Sequence, residues 1–231
     1  EEITLSEADV FKKFDDKINK DIKKDIQSIK KTAQNNQNIL FNEDSRVGIE
    51  RKVENNSIDL VITSPPYLNS RDYTDTYMLE LKTLGLTSTY EEVRNLREKT
   101  LRSHVQIKWQ DNESINNKTL ESTLKLLKDC SGDKEIWNSS ILDMVRLYFV
   151  DMKKIFHVLY KKVKLGGRIY FNVSNSAYFN VMINTLEICA EIAESEGFKV
   201  IEIRKARKLK PSPQQKDQIE NLLEGVILME K

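Results

Sequence analysis

The segment Ile58-Asp59-Leu60-Val61-Ile62-Thr63 runs directly into Ser64-Pro65-Pro66-Tyr67, and that junction constrains the fold more than any other part of the chain. A short, β-branched, apolar stretch is the pattern of a parallel strand buried on both faces. Its exit then lies at the carboxyl edge of a sheet, where open α/β folds place their ligands. The paired prolines remove two backbone donors, hold φ at about −65° and push the residue before each into an extended shape. The expected product is a stiff loop whose carbonyls have no local partners.

Such a loop suits one kind of chemistry. The nitrogen of an exocyclic amine on a nucleobase shares its lone pair with the ring and is a poor nucleophile until its hydrogens are held. The Ser64 hydroxyl and the Pro65 carbonyl can accept both hydrogens, which favours a pyramidal nitrogen and aims its lone pair at a methyl group carried on a sulfonium. That is catalysis by position and electrostatics, with little acid–base work. Tyr67 offers a flat face on which a base taken out of the duplex can stack. The plain alternative is a proline turn with a packed tyrosine.

Composition bounds the reading. With 231 residues the chain is long enough for a substantial core, and it fits one α/β domain with an insertion. Charged residues make up 32% of it but nearly balance, leaving a net charge of +1, so any nucleic-acid surface must come from clustering. Cys130 and Cys189 are far apart and in no metal-like spacing, which implies a reduced, cytoplasmic interior. No stretch approaches the length of a membrane span. The only histidines are His104 and His157, too few to suggest a histidine-based metal site, and no metal is expected.

Periodicity organises the rest. Residues 1–38 read as an amphipathic amino-terminal helix: Ser6 and Asp9 form a capping box, Leu5 begins a hydrophobic staple, and Val10, Phe11, Phe14, Ile18, Ile22, Ile26 and Ile29 share one stripe. That stripe is expected to face a core, with docking onto a partner as the alternative. Residues 39–80 and 141–231 are expected to form the core of the domain, with a helix over Ile141–Lys161. Most of the interval 81–140 exceeds what a crossover between parallel strands needs and is read as a helical insertion. Its Arg94, Arg97, Arg102 and Lys108 are either phosphate- or base-contacting groups or an ordinary solvated face. Ser103 and His104 are candidates to touch a flipped base. A denser basic cluster, Arg204-Lys205-Ala206-Arg207-Lys208-Leu209-Lys210 before Pro211 and Pro213, is expected as a loop that contacts phosphates.

The run Asp59-Leu60-Val61-Ile62-Thr63-Ser64-Pro65-Pro66-Tyr67-Leu68-Asn69 resembles the catalytic segment of DNA amino-methyltransferases, the N4-cytosine and N6-adenine modification methylases of restriction–modification systems. Arg71-Asp72-Tyr73, Leu79-Glu80 and Leu101-Arg102-Ser103-His104 are similar to the stretch after that segment in one branch of the family. Leu165-Gly166-Gly167-Arg168-Ile169-Tyr170-Phe171-Asn172-Val173 looks like the next strand, and Gly197–Ile203 with Gly225–Met229 like a closing hairpin. The resemblance implies a doubly wound, Rossmann-like α/β methyltransferase sheet with a helical insertion. It implies double-stranded DNA as partner, S-adenosylmethionine as cofactor, a catalytic group of Ser64, Pro65, Pro66 and Tyr67, and DNA contacts from Arg71, Arg102, His104, Arg204, Arg207 and Lys208. Serine at the head of the tetrapeptide is, in that family, more often found with cytosine N4 than with adenine N6.

One departure matters as much as the match. The family binds its cofactor on a glycine-rich turn of the form F-x-G-x-G, but the glycines here stand at 48, 85, 132, 166, 167, 197 and 225, with no G-x-G among them. The sheet is therefore expected to be incomplete. Either the chain, which begins with Glu1, is a trimmed piece, or a second polypeptide supplies the cofactor loop. Alone, it is expected to bind S-adenosylmethionine weakly or not at all. What remains of that side is a short strand at Ile39–Asn42 and then Asp44, which is either a contact to the cofactor adenine or a turn and cap residue; Thr63 is a weaker candidate. Two other readings stay open: a DNA-binding or specificity subunit without catalysis, and a methyltransferase acting on a protein amide.

Overall fold

The computed structural model describes residues 6–32, 39–68, 71–131, 140–211, 219–220 and 222–231. The chain divides into two units, Glu1–Phe41 and Asn42–Lys231. In the first, α1 (Glu7–Asp16) and α2 (Lys23–Thr32) are joined by a π-helical stretch over Lys17–Ile22. The capping box is present: the Ser6 side chain accepts from the Asp9 amide and Asp9 reaches back to the Ser6 amide. Leu5 lies outside the described residues. The apolar stripe does not face a core within this unit, since Val10, Phe11, Phe14, Ile22, Ile26 and Ile29 are all exposed.

The second unit contains α3 (Gly48–Lys52), β1 (Ile58–Thr63), α4 (Tyr73–Thr76), α5 (Met78–Thr83), α6 (Tyr90–Glu98) and α7 (Lys118–Ser131). After these come α8 (Ile141–Lys162), β2 (Val163–Ser174), β3 (Ser176–Tyr178), β4 (Val181–Ile183), α9 (Thr185–Ser195), β5 (Lys199–Leu209) and β6 (Leu222–Glu230). The main sheet is four-stranded, in the order β1-β2-β6-β5. β1 and β2 are parallel, while β2–β6 and β6–β5 are antiparallel. This is a mixed, partial α/β sheet, and β3 and β4 form a separate small hairpin.

Alternation along the strands decides where the core sits. Ile169, Phe171 and Val173 of β2 and Ile227 and Met229 of β6 point to one face, where they pack with Val145, Tyr148, Met152 and Phe156 of α8 and with Leu186, Cys189 and Ala193 of α9. α7 adds Leu120 and Leu127 to the same core. Near its start β2 carries Gly166 at φ +76°, where the register with β1 shifts. A side chain on neighbouring Gly167 would lie 2.6 Å from Val163 Cγ1 and 3.1 Å from the Ile58 carbonyl, so only glycine lets the strands close up there.

Burial on both faces does not hold for β1. Leu60 is 52% and Ile62 76% exposed, on the side away from the helices. β1 is an edge strand, and its outer side and outer face have no cover among the described residues. The same cause removes the strand expected at Ile39–Asn42: those residues adopt no strand, because a strand needs a neighbour to pair with. The basic segment expected as a loop is instead the second half of β5, paired from Arg204↔Val226 to Leu209↔Leu222. Pro213 falls among residues that are not described.

Candidate active site

The Ser64-Pro65-Pro66-Tyr67 loop leaves β1 at its carboxyl end and is fixed from below. Thr63 is in register with Phe171, which is fully buried and 4.8 Å, ring to ring, from Phe156. Leu68, at the far end of the loop, is fully buried in the core. The Tyr148 hydroxyl donates to the Pro66 carbonyl at 3.1 Å and the Tyr178 hydroxyl to the Leu68 carbonyl at 3.4 Å. Loop carbonyls are thus partly occupied, contrary to expectation. The Pro65 carbonyl, needed for the amine, has no hydrogen-bond partner among the described residues, and Ser64 is exposed. Both acceptors stand on an anchored loop, Ser64 exposed and Pro65 half-buried.

Two residues that were not anticipated complete the site. Tyr67 Oη donates to Glu224 Oε1 at 3.0 Å and accepts from Asn172 Nδ2 at 2.7 Å. Asn172 also reaches Ser64 Oγ at 3.3 Å and Glu224 Oε1 at 3.4 Å. The other Glu224 oxygen accepts from Arg207 Nε at 2.6 Å. Burial, then the Glu224 carboxylate, raise the Tyr67 phenol above its ordinary value against opposing hydrogen bonds from Ser64 and Asn172. Burial by itself would raise Glu224, but its bonds to Arg207, Tyr67 and Asn172 hold it below the ordinary glutamate value. The sequence signal was alternation: Asn172 sits on the opposite face from Phe171 and Val173, in a strand paired with both β1 and β6.

The other candidates are distributed differently. Arg102, expected at a DNA surface, is only 5% exposed. Its amide and side chain make four hydrogen bonds to Asp151, and its Nη1 makes one of 2.6 Å to Asp111. His104, expected to touch a base, is 1% exposed, with Nε2 3.0 Å from Thr100 Oγ1 and its ring 5.9 Å from that of Trp109. Asp44 is engaged by Arg46 through the amide, Nε and Nη2. Burial would raise its carboxyl, yet Arg46 holds it below the usual aspartate value. Arg46 continues to Asp151 at 3.1 Å and to the Lys99 carbonyl at 2.9 Å. Asp44 and Arg102 are therefore joined in one ion network. Arg71, Arg204, Arg207 and Lys208 are exposed, with Arg204 bonded to Glu202.

Nothing described forms a cofactor cradle: the Asp44 oxygens are occupied by Arg46, and no G-x-G turn exists in the chain. Among the described residues no cluster of histidine, cysteine, aspartate and glutamate could hold a metal ion.

No protein-family model matches the chain. It is 31% identical over 215 residues to the Type II methyltransferase M.BsoBI of Geobacillus stearothermophilus, a match covering 84% of this chain and 42% of that protein. It is 33% identical over 173 residues to the Type II methyltransferase M.AvaI of Nostoc sp. and of Anabaena variabilis, covering 71% of this chain and 35% of those proteins. The chain thus spans less than half the length of these curated relatives. A solved structure assigned as a DNA modification methylase, from Thermus thermophilus, aligns over 82% of this chain and 52% of its own at 13% identity and a TM-score of 0.41. That likeness is too loose to bear on the fold.

Proposed function

We propose that the chain, which is 31–33% identical to Type II methyltransferases over less than half of their length, carries the amine-holding part of a DNA methyltransferase. The reaction is transfer of a methyl group from S-adenosylmethionine to the exocyclic amine of a base in double-stranded DNA, cytosine N4 in preference to adenine N6. One observation carries the reading. At the carboxyl end of a parallel strand, Ser64 is exposed and the Pro65 carbonyl is without a partner among the described residues, on a loop tied down by Tyr148 and Tyr178. The two acceptors are set to hold an amine while Tyr67 meets the base.

The residues present do not fit the cofactor, so its binding is assigned to a part of the enzyme outside these residues, either further sequence of the same polypeptide or a second polypeptide. Support comes from β1: an edge strand with Leu60 and Ile62 exposed is a template for another strand and for an apolar cover. The remaining length of the relatives is of the right order to supply both. Arg71, Arg204 and Lys208 are the proposed phosphate contacts. Among the described residues no helix is long and apolar enough to cross a membrane, and the setting proposed for the enzyme is the cytoplasm, of prokaryotic or phage origin.

The test is nucleoside mass spectrometry on mixed-sequence DNA incubated with S-adenosylmethionine and the chain, with and without the neighbouring polypeptide that bears a glycine-rich loop. N4-methylcytosine or N6-methyladenine appearing only with that partner supports the reading and names the base. No methylated base in either tube favours a DNA-binding subunit.

A further inference from the structure

Resting on that reading, we propose that Glu224 and Asn172 are positioning residues that make Tyr67 part of a relay, Glu224 fixing the Tyr67 hydroxyl and Asn172 tying that hydroxyl to the Ser64 oxygen, so that the stacking ring and the amine-holding group keep one geometry. The geometry is a line from β6 to the catalytic loop. Glu224 Oε1 accepts the Tyr67 hydroxyl hydrogen at 3.0 Å. A phenol that has given its hydrogen to a carboxylate is a better acceptor in turn, because hydrogen bonds in a chain polarise one another. One donor faces that oxygen, Asn172 Nδ2 at 2.7 Å, and the same amide lies 3.3 Å from Ser64 Oγ.

Asn172 fixes the geometry. Its amide has two hydrogens for three acceptors, and the short bond goes to Tyr67; the contacts to Ser64 and Glu224, at 3.3 and 3.4 Å, share the other. Tyr67 is thereby held at its tip by one donor and one acceptor, which leaves its ring face for stacking. Arg207 Nε, 2.6 Å from the second Glu224 oxygen, keeps the carboxylate ionised. Because Arg207 stands on the exposed, basic β5, the relay also links the strand proposed to meet phosphates with the loop proposed to hold the base.

The direct readout is the titration of Tyr67 by NMR of 13Cζ-labelled tyrosine in the whole chain, with the signal assigned by its loss in Tyr67→Phe. In Glu224→Gln, which keeps shape and removes charge, the Tyr67 phenol is expected to titrate at lower pH than in the wild type. In Arg207→Ala, an exposed change that leaves the fold in place, it is expected to titrate at higher pH, because the carboxylate loses its counter-charge. Unchanged titration in both variants overturns the relay. In the complete enzyme, Glu224→Gln is expected to lower kcat by about 10- to 100-fold with little change in KM for DNA. An unchanged kcat overturns the positioning role. If the wild-type enzyme methylates no base, the functional reading fails while the titration still decides the relay.

Discussion

Arg102 closes on Asp151 with its backbone amide at 3.0 Å and its Nη2 at 2.7 Å, and neither side chain reaches solvent to any extent. Asp151 has no exposed surface on α8, so its charge must be met inside the protein, and Arg46 supplies the second cation at 3.1 Å. Removing one partner of a buried pair costs about 3–5 kcal/mol when the charge left behind is uncompensated, and less where, as here, Arg46 stays beside Asp151. Arg102→Ala is expected to lose stability at or below the lower end of that range in urea unfolding, and Arg102→Lys to recover only part of it, since an ammonium cannot reproduce the fork. A variant as stable as the wild type but weakened in DNA binding would return Arg102 to a DNA-contacting role.

His104 makes stability depend on pH. Burial lowers its pKa, against the attraction of Asp72 and with help from Arg97. The unfolded chain, with an ordinary histidine near 6.5, therefore takes up a proton that the folded chain refuses. Stability is fully present above that value and is lost as pH falls through the window between it and the lower folded pKa. The expected result is a thermal midpoint that drops between pH 7 and 5.5 in the wild type and drops less in His104→Gln. Parallel slopes for the two proteins would exclude His104 as the source.

A third expectation concerns Gly197, which sits at φ +106° where a Cβ would lie 2.8 Å from the Tyr160 ring. That ring packs edge-on to Phe198 and lies under Lys231 Nζ at 4.6 Å, so it has little room to retreat. Gly197→Ala combines a strained backbone with a clash and should cost on the order of 1–3 kcal/mol, seen as a lower urea midpoint with an unchanged m value.

How far the molecule could be read from sequence depends on the origin of each signal. β1, the glycine-entered β2, α8 and the β5–β6 pair were legible because each rests on local alternation or helical spacing. The exposed Leu60 and Ile62 were not, because an apolar strand looks the same whether its cover lies in the chain or outside it. Arg102 and His104 were misplaced for another reason: their surroundings, Asp151 in one case and Thr100 and Trp109 in the other, are set by packing, and a cation in sequence does not announce a buried counter-charge 49 residues away. At the site, Ser64 to Tyr67 could be read as a motif. Asn172 and Glu224 could be found only once the strand register brought β6 beside β2.

The open edge of β1 gives the remaining prediction. Leu60 and Ile62 are 52% and 76% exposed, so replacing them removes little burial within the chain, and exposed positions of this kind usually change stability by no more than about 0.5 kcal/mol. Leu60→Glu with Ile62→Lys is therefore expected to leave the urea midpoint almost unmoved. In the proposed assembly the same pair of charges would stand where the cofactor-loop part adds its strand and lays its apolar cover, and burying them unpaired there is costly. Mixed with the polypeptide that carries the glycine-rich loop, the wild-type chain should co-migrate in gel filtration and yield methylated base, while the double variant should elute alone and yield none. Co-migration and activity at wild-type level in the double variant would show that the partner docks elsewhere than on β1.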